Sequence, residues 1–371
     1  MKYVFLLSGD YIDLAREEAL SLFEIKKCKS LNSLLVADLN NNENEFIRIF
    51  RRLALAKSIY KFLFECKVND LIEAVKDFDW NSIYKDNFCV RVHNLDNSMK
   101  NSIKIQNQKI LTTSKSNAYG GNPLAEKRLA GYIWKSVKKP KVSLENPKTF
   151  VQFFIFKNKA YCGLLAYENK EDFESRRTHL RPFTHPSSLH PKLARALVNL
   201  TGIKEKETLL DPFCGTGGFL IEAGLMGIKG IGYDIYKIMA AGCKKNLEHY
   251  RIKEYRIKNR NALDINDRFD CVATDLPYGL NSNVLLKHEK GFWKQNRLNK
   301  KIQKKGFVNN LEKFYLAFLM QLRKNLKKKA VIVFPDYVNY KKLLKTSKFR
   351  IEREFSDYVH RSLSRKIVRI S

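Results

Sequence analysis

Three apolar runs in the second half of the chain each end on an aspartate: "TLLD" on Asp211, "GIGYD" on Asp234 and "CVATD" on Asp275. After the first come "PFCGTGG" and the apolar "FLIEAGLMG"; after the second comes "YKIMAAGCKKNLEHY". A short apolar strand that stops in a turn and hands over to a helical pattern is the βα unit of a parallel sheet. Its repetition, with "AVIVFPDYV" as a later strand and "LEKFYLAFLMQLRKNLKK" as an amphipathic helix before it, constrains this region to a doubly wound α/β fold. In such folds ligands bind beyond the carboxyl ends of the strands, where the three aspartates stand.

The front half reads differently. "YVFLLSG" and "SLLVADL" are expected strands, "DLAREEALSLFE" and "FIRIFRRLALAKSIYKFLFE" expected helices, and together they make a small α+β layer over residues 1–60. Residues 61–165 carry the strand "FCVRVHNL", the helix "PLAEKRLAGYIWKSV" and two strands around the polar break "KNKA". Residues 166–185 are charged without apolar periodicity and read as a linker to the α/β region at 186–371. "RLNKKIQKKG" reads as a basic loop.

The formal charge is +31, and it is unevenly spread: residues 1–60 are close to neutral, while 61–165 and 186–371 hold the excess. That pattern predicts a polyanionic partner, a nucleic acid. No apolar run approaches the roughly 18 residues of a membrane span, and charge follows the opening "KYVFLLSGD" too early for a signal peptide. The seven cysteines form no C-x-x-C pair, which predicts a reduced, cytoplasmic protein with neither a disulfide framework nor a zinc ribbon. His179, His185 and His190 cluster, but no two share a helix face at ligand spacing, so a loop closing over a bound cofactor is the better use for them than a metal.

Glycine is needed where a ligand approaches backbone N–H groups with no Cβ in the way, and Gly215, Gly217 and Gly218 lie between the first strand and its helix. Asp234 closes the next strand, 17 residues beyond Gly217, where a carboxylate can accept both hydroxyls of a ribose. Asn261 and Ala262, in "NRNALDI", are placed to grip an adenine edge. The third glycine falls at the wrong spacing for NAD, and Asp211 also argues against it, because a pyrophosphate loop would avoid a carboxylate aimed at phosphate oxygens. A ligand with a cationic amine and a sulfonium would welcome it, and that ligand is S-adenosylmethionine. The predicted cofactor site comprises Phe183, His185, Pro186, Asp211, Pro212, Gly215, Thr216, Gly217, Asp234, Ile235, Asn261, Ala262 and Asp275.

With a methyl donor at the strand ends, "DLPY" acquires a purpose. An exocyclic amine on a nucleobase is a poor nucleophile because its lone pair is delocalised into the ring. Asp275 can accept a hydrogen bond from one N–H, and the backbone carbonyl of Leu276 or Pro277 from the other, which frees the lone pair. Pro277 fixes the chain so that this carbonyl points into the site, and Tyr278 offers a face for a flipped-out base. Cys214 and Cys271 read as packing residues rather than nucleophiles.

These residues resemble the amino-methyltransferases with a D-P-P-Y-like motif. More narrowly, "RPFTHPSSLHPKLARALVNL", "LLDPFCGTGGFLIEAGLMG", "TDLPYG" and "YVHRSLSRKI" are similar to the archaeal THUMP-domain tRNA guanine-N2 methyltransferases, which act on guanosine 10. "VSLENPKTFVQFFIFKNKAYCGLLAYE" is similar to the end of a THUMP domain. The resemblance implies a ferredoxin-like module, THUMP, linker and a Rossmann-type domain whose doubly wound sheet ends in an antiparallel hairpin. It implies that THUMP grips the 3′ CCA end of tRNA while the target guanosine enters the catalytic domain; a small activating subunit stays open. Two departures stand out: Asn261 occupies a position where the family commonly has Asp, and the basic segment 281–310 looks longer than usual, as an added phosphate contact or a solvated loop. Another guanosine of tRNA or rRNA, adenine N6 of DNA, and a non-catalytic RNA-binding role are the competing readings.

Overall fold

A computed structural model describes residues 1–371 apart from 41, 96–103, 106–107, 110–122, 186–187, 279–299 and 361–362. The chain divides into two units, one of Met1–Arg51 and Leu55–Lys170, the other of Arg52–Ala54 and Glu171–Ser371.

In the first unit the elements run β1 (Lys2–Leu7), α1 (Ile12–Leu22), β2 (Cys28–Leu31), β3 (Leu34–Asp38), α2 (Glu43–Phe50), β4 (Ala56–Lys67), α3 (Leu71–Asp77) and β5 (Phe88–Asn94). The short pair β6 (Lys104–Ile105) and β7 (Gln108–Lys109), helix α4 (Pro123–Ser136), β8 (Thr149–Phe156) and β9 (Lys159–Glu168) follow. One seven-stranded sheet in the order β2-β3-β1-β4-β9-β8-β5 joins the whole unit, antiparallel throughout except for the β5–β8 pair. Asn32, with φ near +50°, makes the tight turn between β2 and β3.

The expected helix over "FIRIFRRLALAKSIYKFLFE" is divided. Helix α2 stops at Phe50, and Ala56–Lys67 is a strand paired with β1 on one edge and β9 on the other. Ile59, Tyr60, Phe62 and Phe64 suit a pleated, half-buried surface, and pairing on two edges overrides an apolar spacing that local reading takes for a helix. Residue 60, the expected end of the first module, therefore lies within β4.

The second unit contains α5 (Pro191–Leu200), β10 (Thr208–Asp211), α6 (Gly218–Leu225), β11 (Lys229–Asp234), α7 (Lys237–His249), β12 (Tyr255–Asn259) and β13 (Cys271–Asp275). It continues with α8 (Lys300–Asn325), β14 (Ala330–Pro335), α9 (Tyr340–Thr346), β15 (Ile351–His360) and β16 (Leu363–Ile370). Its sheet has the order β12-β11-β10-β13-β14-β16-β15: five parallel strands, then an antiparallel hairpin. All six residues of β14 are buried, and each fully buried aliphatic or aromatic side chain contributes about 1.5–3 kcal/mol. The strand order reverses between β10 and β13, the switch point beyond whose carboxyl ends such folds bind their ligands. Helix α8 begins at Lys300 and takes in Lys300–Gly306 of the expected basic loop, as the helix propensity of its Lys and Gln residues allows.

The expected linker contributes its own packing to the second unit. Glu222 on α6 is fully buried and accepts from Arg176 Nε at 2.9 Å and from Arg195 Nε at 2.8 Å. Glu171 meets both guanidinium groups, and both lie 5.1 Å from the Phe173 ring. The knot anchors residues 171–176 against α5 and α6. Removing its central charge leaves two buried cations without their main partner, which costs about 3–5 kcal/mol. Glu222→Gln is therefore expected to lower the free energy of unfolding by an amount in that range, read from equilibrium denaturant melts.

Candidate active site

The glycine turn after β10 has the backbone that its residue types predict. Gly215 and Gly217 both lie in the left-handed region, with φ of +49° and +86°. A Cβ on Gly217 would stand 2.7 Å from Cys243 Sγ on α7. Pro212 is buried in the turn, and Thr216 Oγ1 lies 2.8 Å from Ser188 Oγ. Asp234 closes the turn from the neighbouring strand: its Oδ2 accepts from Gly215 N at 3.0 Å and its Oδ1 from Tyr236 N at 2.9 Å.

The upstream loop is tied to the same turn by Asn246, a fully buried α7 residue that sequence reading passed over. Its Oδ1 accepts from Phe183 N at 2.9 Å, and its Nδ2 donates to the carbonyls of Phe183 and Thr216, each at 2.9 Å. The Phe183 ring lies directly over Gly242, where a Cβ would come within 2.1 Å of it. His185 stands near enough to Asp234 to favour the ionised carboxyl. Pro186 lies outside the described residues. Ile235 is half exposed, and its carbonyl and that of Asp234 accept from Asn259 Nδ2. Asn261 spends its Oδ1 on the Leu263 N–H at 2.9 Å, within its own turn. The Ala262 side chain belongs to the hydrophobic core, so only backbone is offered there to a ligand.

Asp211 is almost wholly buried, and one oxygen accepts from both Thr274 Oγ1 at 2.8 Å and Phe213 N at 3.2 Å. Burial pushes its pKa up to about 7 against these bonds, and the charges of Asp275 and Asp234 add to the rise. Asp275 is pushed up to about 6, again by burial, with Arg365 and the Tyr278 hydroxyl opposing. Burial likewise raises Asp234. Three carboxylates thus end three adjacent strands with their charge opposed by the protein itself.

"DLPY" continues β13 beyond its last strand residue. Leu276 is buried and donates from its N–H to the Val333 carbonyl at 3.1 Å. The Pro277 carbonyl accepts from Tyr315 Oη at 2.7 Å, and the Tyr278 carbonyl from Tyr337 Oη at 2.6 Å. Tyr278 turns its hydroxyl onto Asp275 Oδ1 at 2.5 Å and receives Arg365 Nε at 2.9 Å. Tyr315, Tyr337 and Arg365 come from α8, the segment after β14, and β16, and no motif near "DLPY" announces them. Cys271 is raised by burial, and Cys214 by its contact with Cys243 and by burial, so both are held as thiols.

A carboxyl whose folded pKa exceeds its unfolded value of about 4 stabilises the fold below that value and loses the contribution as pH rises through the folded pKa. For Asp211 the loss falls between about pH 4 and about 7. Asp211→Asn keeps an acceptor for Thr274 and has no charge to bury. Thermal melts are expected to show this variant gaining stability relative to wild type as pH is raised from about 4 to about 8; a constant difference would contradict the burial argument.

Residues 66–165 match the THUMP domain family, and residues 178–284 match the family described as RMKL-like, methyltransferase domain. The tRNA (guanine(10)-N2)-dimethyltransferase of Methanothermobacter thermautotrophicus is 32% identical over 85% of this chain and 82% of its own. That of Pyrococcus abyssi is 31% identical over 98% of each. Among solved structures, TrmN from Thermus thermophilus shares the fold over 100% of this chain and 99% of its own, with a TM-score of 0.52 at 15% identity. With a glycine turn, three strand-end carboxylates and this degree of identity along nearly the whole chain, the protein belongs to the tRNA (guanine(10)-N2)-dimethyltransferase family.

Proposed function

We propose that this chain methylates the exocyclic N2 amine of guanosine 10 in tRNA, once to N2-methylguanosine and again to N2,N2-dimethylguanosine. The observation that carries the reading is the position of Asp275, at the end of β13 at the switch point, beside Asp211 and the glycine turn. S-adenosylmethionine, when bound, supplies an electrophilic methyl group on a sulfonium. The residues present fit it: a cation suits the buried Asp211 and the half-buried Asp234 and Asp275, whose charge burial opposes, and a Cβ at Gly215 would meet nothing closer than 4.0 Å, which leaves the backbone there open to approach.

Asp211 and the Gly215–Gly217 backbone would hold the methionine end, Pro212 and Thr216 shaping that turn. Asp234, freed from Gly215, would take the ribose hydroxyls. Ile235 and the Asn261–Ala262 turn would line the adenine, with Phe183 and His185 closing the loop above. On the substrate side Asp275 accepts one N2–H. Tyr315 already takes one lone pair of the Pro277 carbonyl, which favours the Leu276 carbonyl as the second acceptor. Asp275 also receives the proton that N2 sheds, and its raised pKa suits that task. Tyr278 presents its ring to the base.

Residues 1–60 and 61–165 act as the ferredoxin-like and THUMP modules that grip the 3′ CCA end, residues 166–185 as the link, and residues 186–371 as the catalytic part. The net charge supports binding through phosphates, and a reduced, cytoplasmic setting suits the unpaired cysteines.

Asp275→Ala is expected to lower turnover by at least about 10²–10³ while leaving S-adenosylmethionine affinity nearly unchanged. Asp234→Ala should instead weaken the cofactor by about 1.5–3 kcal/mol in calorimetry. Turnover within tenfold of wild type in the first, or unaltered affinity in the second, contradicts the assignment. tRNA trimmed of its CCA end should be a much poorer substrate, with the loss read in kcat/KM; equal efficiency would remove the role given to the front modules.

A further inference from the structure

Behind "DLPY" lies a chain of donors that begins at an arginine given no part in holding the cofactor or the base. Arg365, on β16, donates from Nε to Tyr278 Oη at 2.9 Å, and Tyr278 donates in turn to Asp275 Oδ1 at 2.5 Å. The second arm of the guanidinium reaches Asp357 Oδ2 on β15 at 3.4 Å, and its Cζ lies 5.9 Å from the Tyr278 ring centre. Arg365 and Asp357 are register partners in the hairpin and both side chains are largely buried. Both hydrogen bonds point the same way, from a permanent cation toward the carboxylate.

The geometry points to Arg365 as a positioning residue for methyl transfer: through the Tyr278 hydroxyl it keeps Asp275 ionised and turned so that its other oxygen is free for the substrate amine. The inference rests on the reading of Asp275 as the amine acceptor, and it adds a second layer to it. A protonated Asp275 could not accept the N2–H with a full charge, nor take the proton the nitrogen loses. Burial drives Asp275 toward that protonated form, and Asp357 adds like charge. Tyr315 on α8 and Tyr337 after β14 also face this region, but each uses its hydroxyl on a backbone carbonyl. Arg365 and the Tyr278 hydroxyl favour the charged form of Asp275. Asp357 keeps the guanidinium aimed by holding its other arm.

The test is single-turnover methylation of tRNA at saturating S-adenosylmethionine between pH 5.5 and 9, for wild type, Arg365→Lys, Arg365→Gln and Tyr278→Phe. Arg365→Gln should move the acid limb of the rate profile upward by about one pH unit or more, so that its deficit is severe near pH 6 and shrinks toward pH 9. Arg365→Lys should fall between it and wild type, and cofactor affinity at pH 8 should stay within about twofold of wild type for both. Tyr278→Phe, which cuts the bridge without touching the hairpin, should displace the limb in the same direction, and serves if Arg365→Gln does not fold. A deficit of equal size at every pH, or an unmoved acid limb in Tyr278→Phe, overturns the inference. An active Asp275→Ala would instead overturn the acceptor assignment beneath it.

Discussion

Asp211 meets the protein's own resistance to being charged. It is buried at the end of β10, hydrogen-bonded to Thr274 across the switch point, and its ionisation is opposed both by burial and by Asp234 and Asp275. Most other features of the catalytic unit arrange themselves around that conflict. The parallel strands bring three carboxylates to one edge, the glycine turn leaves backbone open between them, and the hairpin places Arg365 behind the third. A pocket of this kind is poorly satisfied alone and well satisfied by a cationic ligand. On the proposed assignment, stability given up in the free protein would reappear as affinity and orientation when the methyl donor binds.

The division of labour among the carboxylates follows from what each already touches. Asp211 is held by a side chain and a backbone N–H of adjacent strand ends, so it can stay where it is. Asp234 closes the glycine turn through the Gly215 N–H, and in the proposed role it would turn toward the ribose without movement of the sheet. Asp275 alone is connected to an arginine, through Tyr278. Asn246 adds the mechanical link, since one amide side chain fastens both the upstream loop and the glycine turn to α7. A shift in that helix would be felt by the loop and the turn together.

The second unit was largely legible because its signals are local. An apolar run, an aspartate and a glycine turn lie within a dozen residues, and strand β14 announces itself by having no polar residue at all. Strand β4 was not legible: its apolar residues satisfy a helical spacing, and only pairing with β1 and β9 decides the matter. The helix at Lys300 was hidden for the opposite reason, since a polar run carries no periodicity. At the site, Asp211, Asp234, Asp275 and the glycines could be named from spacing. Tyr315, Tyr337 and Arg365 could not, because they reach "DLPY" from 38, 59 and 87 residues away in sequence. The Asn261 position also reads differently in three dimensions, since its side chain caps its own turn.

Which atom receives the methyl group is the centre of the account, and it can be read directly. Purified protein is incubated with unmodified tRNA and S-adenosylmethionine, and the nucleosides are separated and identified by mass spectrometry, with the modified position mapped by nuclease fragments. The account predicts N2-methylguanosine first and N2,N2-dimethylguanosine later, both at position 10. Methylation confined to a ring nitrogen, to adenine or to another guanosine, or none at all from protein that binds the cofactor, would contradict it.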